Sequence, residues 1–261
     1  MSKKVAIITG SGRGIGKAIA ERLATENYYV AVVDIDESSA KYVSDSINAI
    51  KENQAKYYVL DVADRKSVFD LVDKVVADFG RLDVFVNNAG IAYIDSIIDS
   101  DPEKVERLFD VNLKGTFWGI QAAAKQLKKQ GSGGRIINAA SLAAVEGSAL
   151  QGAYSASKFA IRGLGQSAAK ELAKYNITVN AYDPGIVITP LRDYIDQRTA
   201  QIKNTTAEIQ RQSVVNEIAL GRAALPDDVA DVVSFLVSQQ AKYITGPVSY
   251  THLTLPTICS V

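Results

Sequence analysis

The sequence predicts a single α/β domain over residues 1–261: one doubly wound, mostly parallel sheet of about seven strands with helices on both faces. Three observations carry this prediction. Short β-branched runs alternate with amphipathic stretches of helical length. No internal repeat, low-complexity block or linker interrupts the series. The 261 residues, 47% apolar and 22% charged, suffice for one large core.

The elements follow in order. Val5–Thr9 is the first strand; a glycine-rich turn leads from it into an amphipathic helix over Lys17–Asn27. Val30–Asp34 and Ala55–Asp61 are the next strands, and Ser67–Phe79 carries apolar residues at the three- and four-residue spacing of a helix packed on a sheet. Val84–Asn87 is followed by a long helix over Glu103–Gln130, Arg135–Asn138 by a helix over Tyr154–Tyr175, and Thr178–Tyr182 is the sixth strand. From Leu191 to Ile218 polar residues dominate, with a sparse helical pattern through Arg198–Val214. This segment reads as a lid or substrate loop, or as a solvated helical excursion with no part in chemistry. Pro226 opens a helix through Val237, with Asp227 and Asp228 near its positive end.

Lys+Arg and Asp+Glu both number 29, so no net field recruits nucleic acid or an anionic membrane, and a small neutral or weakly polar partner is expected. The opening apolar run is too short for a signal-peptide core or a membrane span, so a soluble, cytoplasmic protein is expected. The sole cysteine, Cys259, and the sole histidine, His252, cannot assemble a cysteine- and histidine-rich zinc site, and both lie in the last ten residues, a poor place for a hydrolase triad. No metal is expected.

Thr9-Gly10-Ser11-Gly12-Arg13-Gly14-Ile15-Gly16, between a strand and a helix, is the context of a dinucleotide-binding turn on a Rossmann-type sheet. Glycines permit positive φ there and let backbone N–H groups and the helix N-terminus approach a pyrophosphate. The spacing is T-G-x-x-x-G-x-G, because Ile15 stands where G-x-G-x-x-G would place its third glycine. Asp34, at the end of the second strand, can accept from adenosine ribose hydroxyls and would repel a 2′-phosphate, which favours NAD(H). Arg13 pulls the other way, unless it is simply a surface residue.

Tyr154 and Lys158 lie four apart on one helix face. A nearby ammonium favours tyrosinate and can bring a phenol from about 10 toward working pH, making it a usable proton donor or acceptor. Ser141, at the end of the fifth strand, can hold a substrate oxygen at the carboxyl edge of the sheet, or serve only its own turn.

Taken together, Thr9–Gly16, Asn87-Asn88-Ala89-Gly90, Ser141, Tyr154-x-x-x-Lys158 and Asp183-Pro184-Gly185 resemble the short-chain dehydrogenase/reductase family in order and spacing. The resemblance implies hydride transfer between a nicotinamide and a carbonyl carbon, with Tyr154 moving the proton and Ser141 holding the oxygen. It implies that Asn87, Asn88, Ala89 and Gly90 line the adenosine side of the cofactor groove, and that Asp61 and Val62 contact the adenine edge. Ile186 and Thr189 would meet the nicotinamide carboxamide, with Pro184, Gly185 and Val187 beside them. Asn112 would complete a catalytic tetrad by orienting a water on Lys158, a role compatible with an asparagine that kinks its own helix. The family usually has a different residue where Asp183 stands, so its role is open.

Within the family, Asn112–Gln121 and Ala181–Pro190 look most like acetoin (diacetyl) reductases, also called 2,3-butanediol dehydrogenases. Leu142, Ala143 and Val145 would then border a small pocket beside the reacting carbonyl, with Ser141 and Tyr154 as its polar end. A 3-ketoacyl thioester reductase, a sugar or polyol dehydrogenase, and a non-catalytic dinucleotide sensor are the alternatives. A homotetramer built on the two long helices is the family expectation. Residues 247–261 lack the Asp-Gly-Gly ending of the family and are expected to be foreign to the gene, although Val248–Leu255 could still pair as an edge strand.

Overall fold

A computed structural model of the chain describes residues 3–246 and, for the backbone alone, 248–250. The elements are β1 (Val5–Thr9), α1 (Gly14–Thr25), β2 (Tyr29–Asp34), α2 (Glu37–Ile50), β3 (Ala55–Val59), α3 (Arg65–Phe79), β4 (Val84–Asn87), α4 (Pro102–Phe109), α5 (Gly115–Gln130), β5 (Gly134–Ala139), α6 (Gly152–Leu172), β6 (Ile177–Asp183), α7 (Pro190–Lys203), α8 (Ala207–Val215), α9 (Pro226–Val237) and β7 (Val248–Tyr250). The strands form one sheet of seven, in the order β3-β2-β1-β4-β5-β6-β7, and every pairing is parallel.

Period-two side chains explain why the sheet is covered twice. Ala6 and Ile8 of β1 pack with Ile19, Leu23, Val43 and Val229, the inner faces of α1, α2 and α9. Val5 and Ile7 turn the other way, onto Val68, Leu71, Ile120 and Leu127 of α3 and α5. The order of strands reverses between β1 and β4, and such a reversal opens a crevice at the carboxyl edge.

Several elements depart from the sequence reading. α2 is the amphipathic stretch after the second strand, to which the sequence reading gives no bounds; Asp36 caps it by accepting from Ser39 N at 2.9 Å, and Ala40, Val43 and Ile47 form its buried stripe. β3 stops at Val59 because Asp61 leaves the ladder for a turn, its carboxylate accepting from Ala63 N at 2.9 Å. The single helix expected over Glu103–Gln130 is two, joined by a π-helical turn at Asp110–Lys114. At that turn the Asn112 side chain grips the backbone of Ile91, accepting from its N–H and donating to its C=O, both at 2.9 Å. Between Leu191 and Ile218 lies most of α7 and all of α8, in place of one sparse helix over Arg198–Val214. Ion pairs join them: fully buried Asp196 takes Arg192 and Arg211, and Arg211 also reaches Asp193 at 2.5 Å.

The backbone of Val248–Tyr250 runs parallel to Ala181–Asp183. The reading of residues 247–261 as foreign to the gene otherwise concerns positions outside the described residues.

Candidate active site

The first strand ends in a turn held by side chains on both flanks. Thr9 Oγ1 accepts from Asn88 N and Ala89 N at 3.0 and 3.1 Å, tying β1 to the end of β4. Asn88 Nδ2 donates to the carbonyls of Thr9 and Gly10 at 2.8 and 3.0 Å, and its Oδ1 accepts from Tyr182 Oη at 2.8 Å. Gly10 and Gly14 take φ of 63° and 57°, and a Cβ on Gly16 would lie 2.2 Å from the carbonyl oxygen of Gly10. These positions therefore require glycine for two reasons, left-handed backbone and close approach. Gly12 lies beneath the turn, where its N–H donates to Asp34 Oδ2 at 2.9 Å.

The N-terminus of α1 has no side-chain cap, as is also true of α5 and α6, whereas α2, α3, α4, α7 and α8 are each capped by an Asp or Thr. Its first-turn N–H groups face an open cleft of about 570 Å³ lined by Gly10, Arg13, Gly14, Ile15 and Gly16. Asp34, Asp61, Val62, Asn88, Ala89, Gly90, Tyr154, Lys158, Pro184 and Thr189 line the same cleft, so it gathers most of the residues singled out in the sequence.

The remaining candidates lie elsewhere. Gly185, Ile186 and Val187 are not part of the cleft wall; Ile186 and Val187 are buried, because a bridge to Ala224 turns this segment inward. Ser141, Leu142 and Ala143 form a neighbouring corner, where Ser141 Oγ caps a short 3-10 helix by accepting from Ala143 N at 3.2 Å. Val145 is exposed. Asn112 is fully buried, and its amide is occupied by Ile91 and by Ser157 Oγ at 3.2 Å. A Cβ on Gly90 would lie 3.4 Å from Asn112 Oδ1 and 3.6 Å from Lys158 Nζ, so both side chains end beside this glycine.

Tyr154 and Lys158 are buried on α6. Lys158 Nζ donates to the carbonyl of Ala139 at 2.8 Å and lies 5.5 Å from the ring centre of Tyr154. Burial lowers the Lys158 ammonium to about 8, partly opposed by Asp183. Burial raises the Tyr154 phenol above its ordinary range, opposed by a hydrogen bond with Ser141 and by the charge of Arg192. This corrects the expectation of a phenol brought down by its lysine: here desolvation outweighs the Ser141 hydrogen bond and the charge of Arg192. Tyr93, Leu108 and Ala143 pack against Tyr154 as a small apolar cluster.

The sequence reading missed Arg107, Tyr182, Leu191 and Tyr194, all of which line the cleft. Arg107 pairs with Asp61 at 2.7 Å, a long-range contact with no local signal. Leu191 and Tyr194 come from the first turns of α7, at three-residue spacing after the Thr189 cap, which an N-cap reading of Thr189-Pro190 could have placed.

The fold and the cleft together define a doubly wound α/β protein with a nucleotide-type cleft at the carboxyl edge of its sheet. The short chain dehydrogenase family model matches residues 4–200, and the chain belongs to that family. It is 40% identical over 247 residues to the L-2,3-butanediol dehydrogenase of Corynebacterium glutamicum, covering 94% of this chain and 95% of the relative. It is 44% identical over 247 residues to the diacetyl reductase [(S)-acetoin forming] of Staphylococcus epidermidis, covering 93% of this chain and 95% of the relative. Among solved structures, NAD+-bound xylitol dehydrogenase superposes with a TM-score of 0.91 at 31% identity, over 95% of this chain and 97% of that one. Among the described residues no helix is long and apolar enough to cross a membrane.

Proposed function

We propose that this protein is an NAD(H)-dependent enzyme that interconverts a small ketone and a secondary alcohol, with the diacetyl, acetoin and 2,3-butanediol series as substrates. The observation that carries the reading is a single cleft with the uncapped α1 N-terminus and Asp34 along its wall and buried Tyr154 and Lys158 at another part of it. The names of the two sequence relatives support the substrate class.

The residues present fit a dinucleotide. The glycine turn leaves a cradle that a side chain would fill, and the free N–H groups of α1 suit a pyrophosphate. Asp34 is oriented by Gly12 N at 2.9 Å and Asp36 N at 3.2 Å, keeping acceptor capacity for ribose hydroxyls. Gly10, Gly12, Arg13, Gly14, Ile15, Asp34, Asp61, Val62, Asn88, Ala89, Gly90, Pro184 and Thr189 form or support this wall, and Gly185, Ile186 and Val187 back it. When bound, the nicotinamide supplies or accepts the hydride.

In the reductive direction Tyr154 donates its phenolic proton to the carbonyl oxygen as that oxygen gains charge, and Ser141 stabilises the same oxygen. Lys158 holds positive charge behind the phenol, and Asn112 fixes the loop of Ile91 that borders the pair. Leu142, Ala143, Tyr93 and Leu108 exclude water from the pocket and limit its size. Residues 191–218 act as the lid: Leu191 and Tyr194 line the cleft, and Arg198 fastens α7 to Asp95 at 3.1 Å.

The chain works as one domain, in the cytoplasm, as a homotetramer. Exposed Phe117 on α5 and Phe159 on α6 are the apolar side chains that an interface between copies would cover.

The test is NADH and NADPH oxidation with diacetyl and with acetoin. Fast turnover with NADH and slow turnover with NADPH is the expected result. A preference for NADPH would mean that Arg13 outweighs Asp34; NADH binding without turnover of any small ketone would favour the sensor reading.

A further inference from the structure

Asp183 is the last residue of β6, completely buried, and neither carboxylate oxygen has a hydrogen-bond partner among the described residues. An unpaired acid in such a place is costly and calls for an explanation. Strand alternation says where it points. Tyr182 faces the glycine turn, where its phenol donates to Asn88. Two residues before Asp183, Ala181 packs on Ile161 of α6, so Asp183 shares the α6 face of the sheet.

That face of α6 carries Tyr154, Lys158 and Arg162 at four-residue intervals. Lys158 is fixed at the adjoining strand end by its bond to Ala139 O, and Arg162 reaches Ala144 O at 3.3 Å. Ala139 at the end of β5 and Ala140 after it offer no titratable group, and the register partner of Asp183 on β7 is Tyr250.

We propose that Asp183 is a positioning residue of the acid/base pair: a carboxyl sealed at the end of β6 against the Tyr154–Lys158–Arg162 face, whose charge biases the proton held by Tyr154 and Lys158. This rests on the reading of those two residues as the acid/base machinery. Burial lifts the Asp183 carboxyl to about 7, held back by Arg162 and Lys158. As it ionises, its charge helps Lys158 keep a proton and raises the Tyr154 phenol. Both effects preserve the reductive form of the pair, a protonated phenol backed by an ammonium, to higher pH. No bond to substrate is involved; one proton exchanges with solvent.

The experiment compares wild type and Asp183→Asn, which keeps shape and removes charge, through the pH profile of kcat/KM for ketone reduction at saturating NADH. The alkaline limb is expected to move to lower pH by about one unit in the variant, with NADH affinity within about twofold of wild type. An unmoved limb in a folded variant overturns the proposal. Infrared titration of wild type labelled with 13C at aspartate gives a readout free of turnover. A protonated carboxyl band that disappears on raising the pH through about 7 is expected, and its absence overturns the proposal even if the variant does not fold. Should wild type reduce no ketone while the band titrates, the functional reading fails and the placement of a titrating acid behind Tyr154 stands.

Discussion

The glycine-turn half of the cleft and the catalytic half are built on opposite principles. Around Thr9–Gly16 polar side chains are tied to the main chain: Thr9, Ser11, Asp34 and Asn88 each bond to backbone, and Ser11 alone links the C=O of Ile8 and the N–H of Val33 at 2.7 and 2.9 Å. What this half leaves open is main chain, the first N–H groups of α1. Between Arg135 and Arg192 the pattern inverts. The buried side-chain polar atoms without a partner among the described residues all fall there, on Arg135, Asn138, Ser155, Thr178, Asn180, Asp183 and Arg192. Arg135 and Thr178 pair at the amino edge of the sheet, away from the cleft. Among these groups it is Asp183, an acid at the carboxyl end of β6, that bears on proton transfer, whereas the anion site relies on rigid backbone donors.

The sharpest way to break the contrast is to remove one reacting group and ask whether the other half notices. Tyr154→Phe deletes the hydroxyl and keeps the ring that packs on Tyr93 and Leu108. Ketone reduction should fall roughly a thousandfold, while NADH binding, read by fluorescence titration, stays close to wild type. A joint loss of both would mean that the halves are one unit.

The converse substitution is Gly16→Ala. Its Cβ would sit 2.2 Å from the Gly10 carbonyl oxygen and 2.5 Å from Asn88 Nδ2, so the turn must shift. NADH should bind roughly ten- to a hundredfold more weakly, with kcat at saturation reduced far less. A variant with normal NADH affinity would remove the turn from the cofactor site.

Stability against pH sharpens the comparison from the catalytic side. The Asp183 carboxyl sits at about 7 in the fold against an ordinary 3.8. A raised acid contributes stability fully below its unfolded value and loses it as pH rises through the folded one. At pH 8 the wild type therefore carries the cost of a buried charge that Asp183→Asn lacks, and the variant should melt about 4–8 °C higher. Toward pH 5 the gap should narrow; a gap independent of pH would place the gain in packing instead.

Legibility in the sequence follows the same division. The turn, Asp34, Tyr154, Lys158 and the strands could be read because each depends on local spacing or on hydrophobic period. Chain-distant pairings could not: Arg107 on Asp61, Tyr182 on Asn88 and Arg198 on Asp95 are separated by dozens of residues and leave no pattern. The direction of the Tyr154 shift is hidden for a related reason, since helix spacing shows the lysine but not the burial that raises the phenol. The π turn at Asn112 was legible as a kink and not as a grip on Ile91, because only the fold brings that loop to the helix. α2 is a different case, for its cap and its apolar stripe stand in the sequence itself and suffice to bound the helix.

α2 also supplies the smallest effect. Its cap, Asp36, is exposed and accepts from Ser39 N and Ser38 Oγ, so it acts on the helix end alone. Ser39 lies against the glycine turn, where a Cβ on Gly12 would meet its Cβ at 2.7 Å. Asp36→Ala should lower Tm by about 2–4 °C, raise KM for NADH by less than about threefold, and leave kcat unchanged. Hydrogen bonds from Ser38 and Ser39 hold the Asp36 carboxyl below its ordinary value. Its contribution is therefore present above the unfolded pKa and lost as pH falls through the folded one, so the difference in Tm should vanish in acid. A large fall in kcat would show that the nucleotide wall transmits strain to Tyr154, and the division between the two halves would then fail at its least expected point.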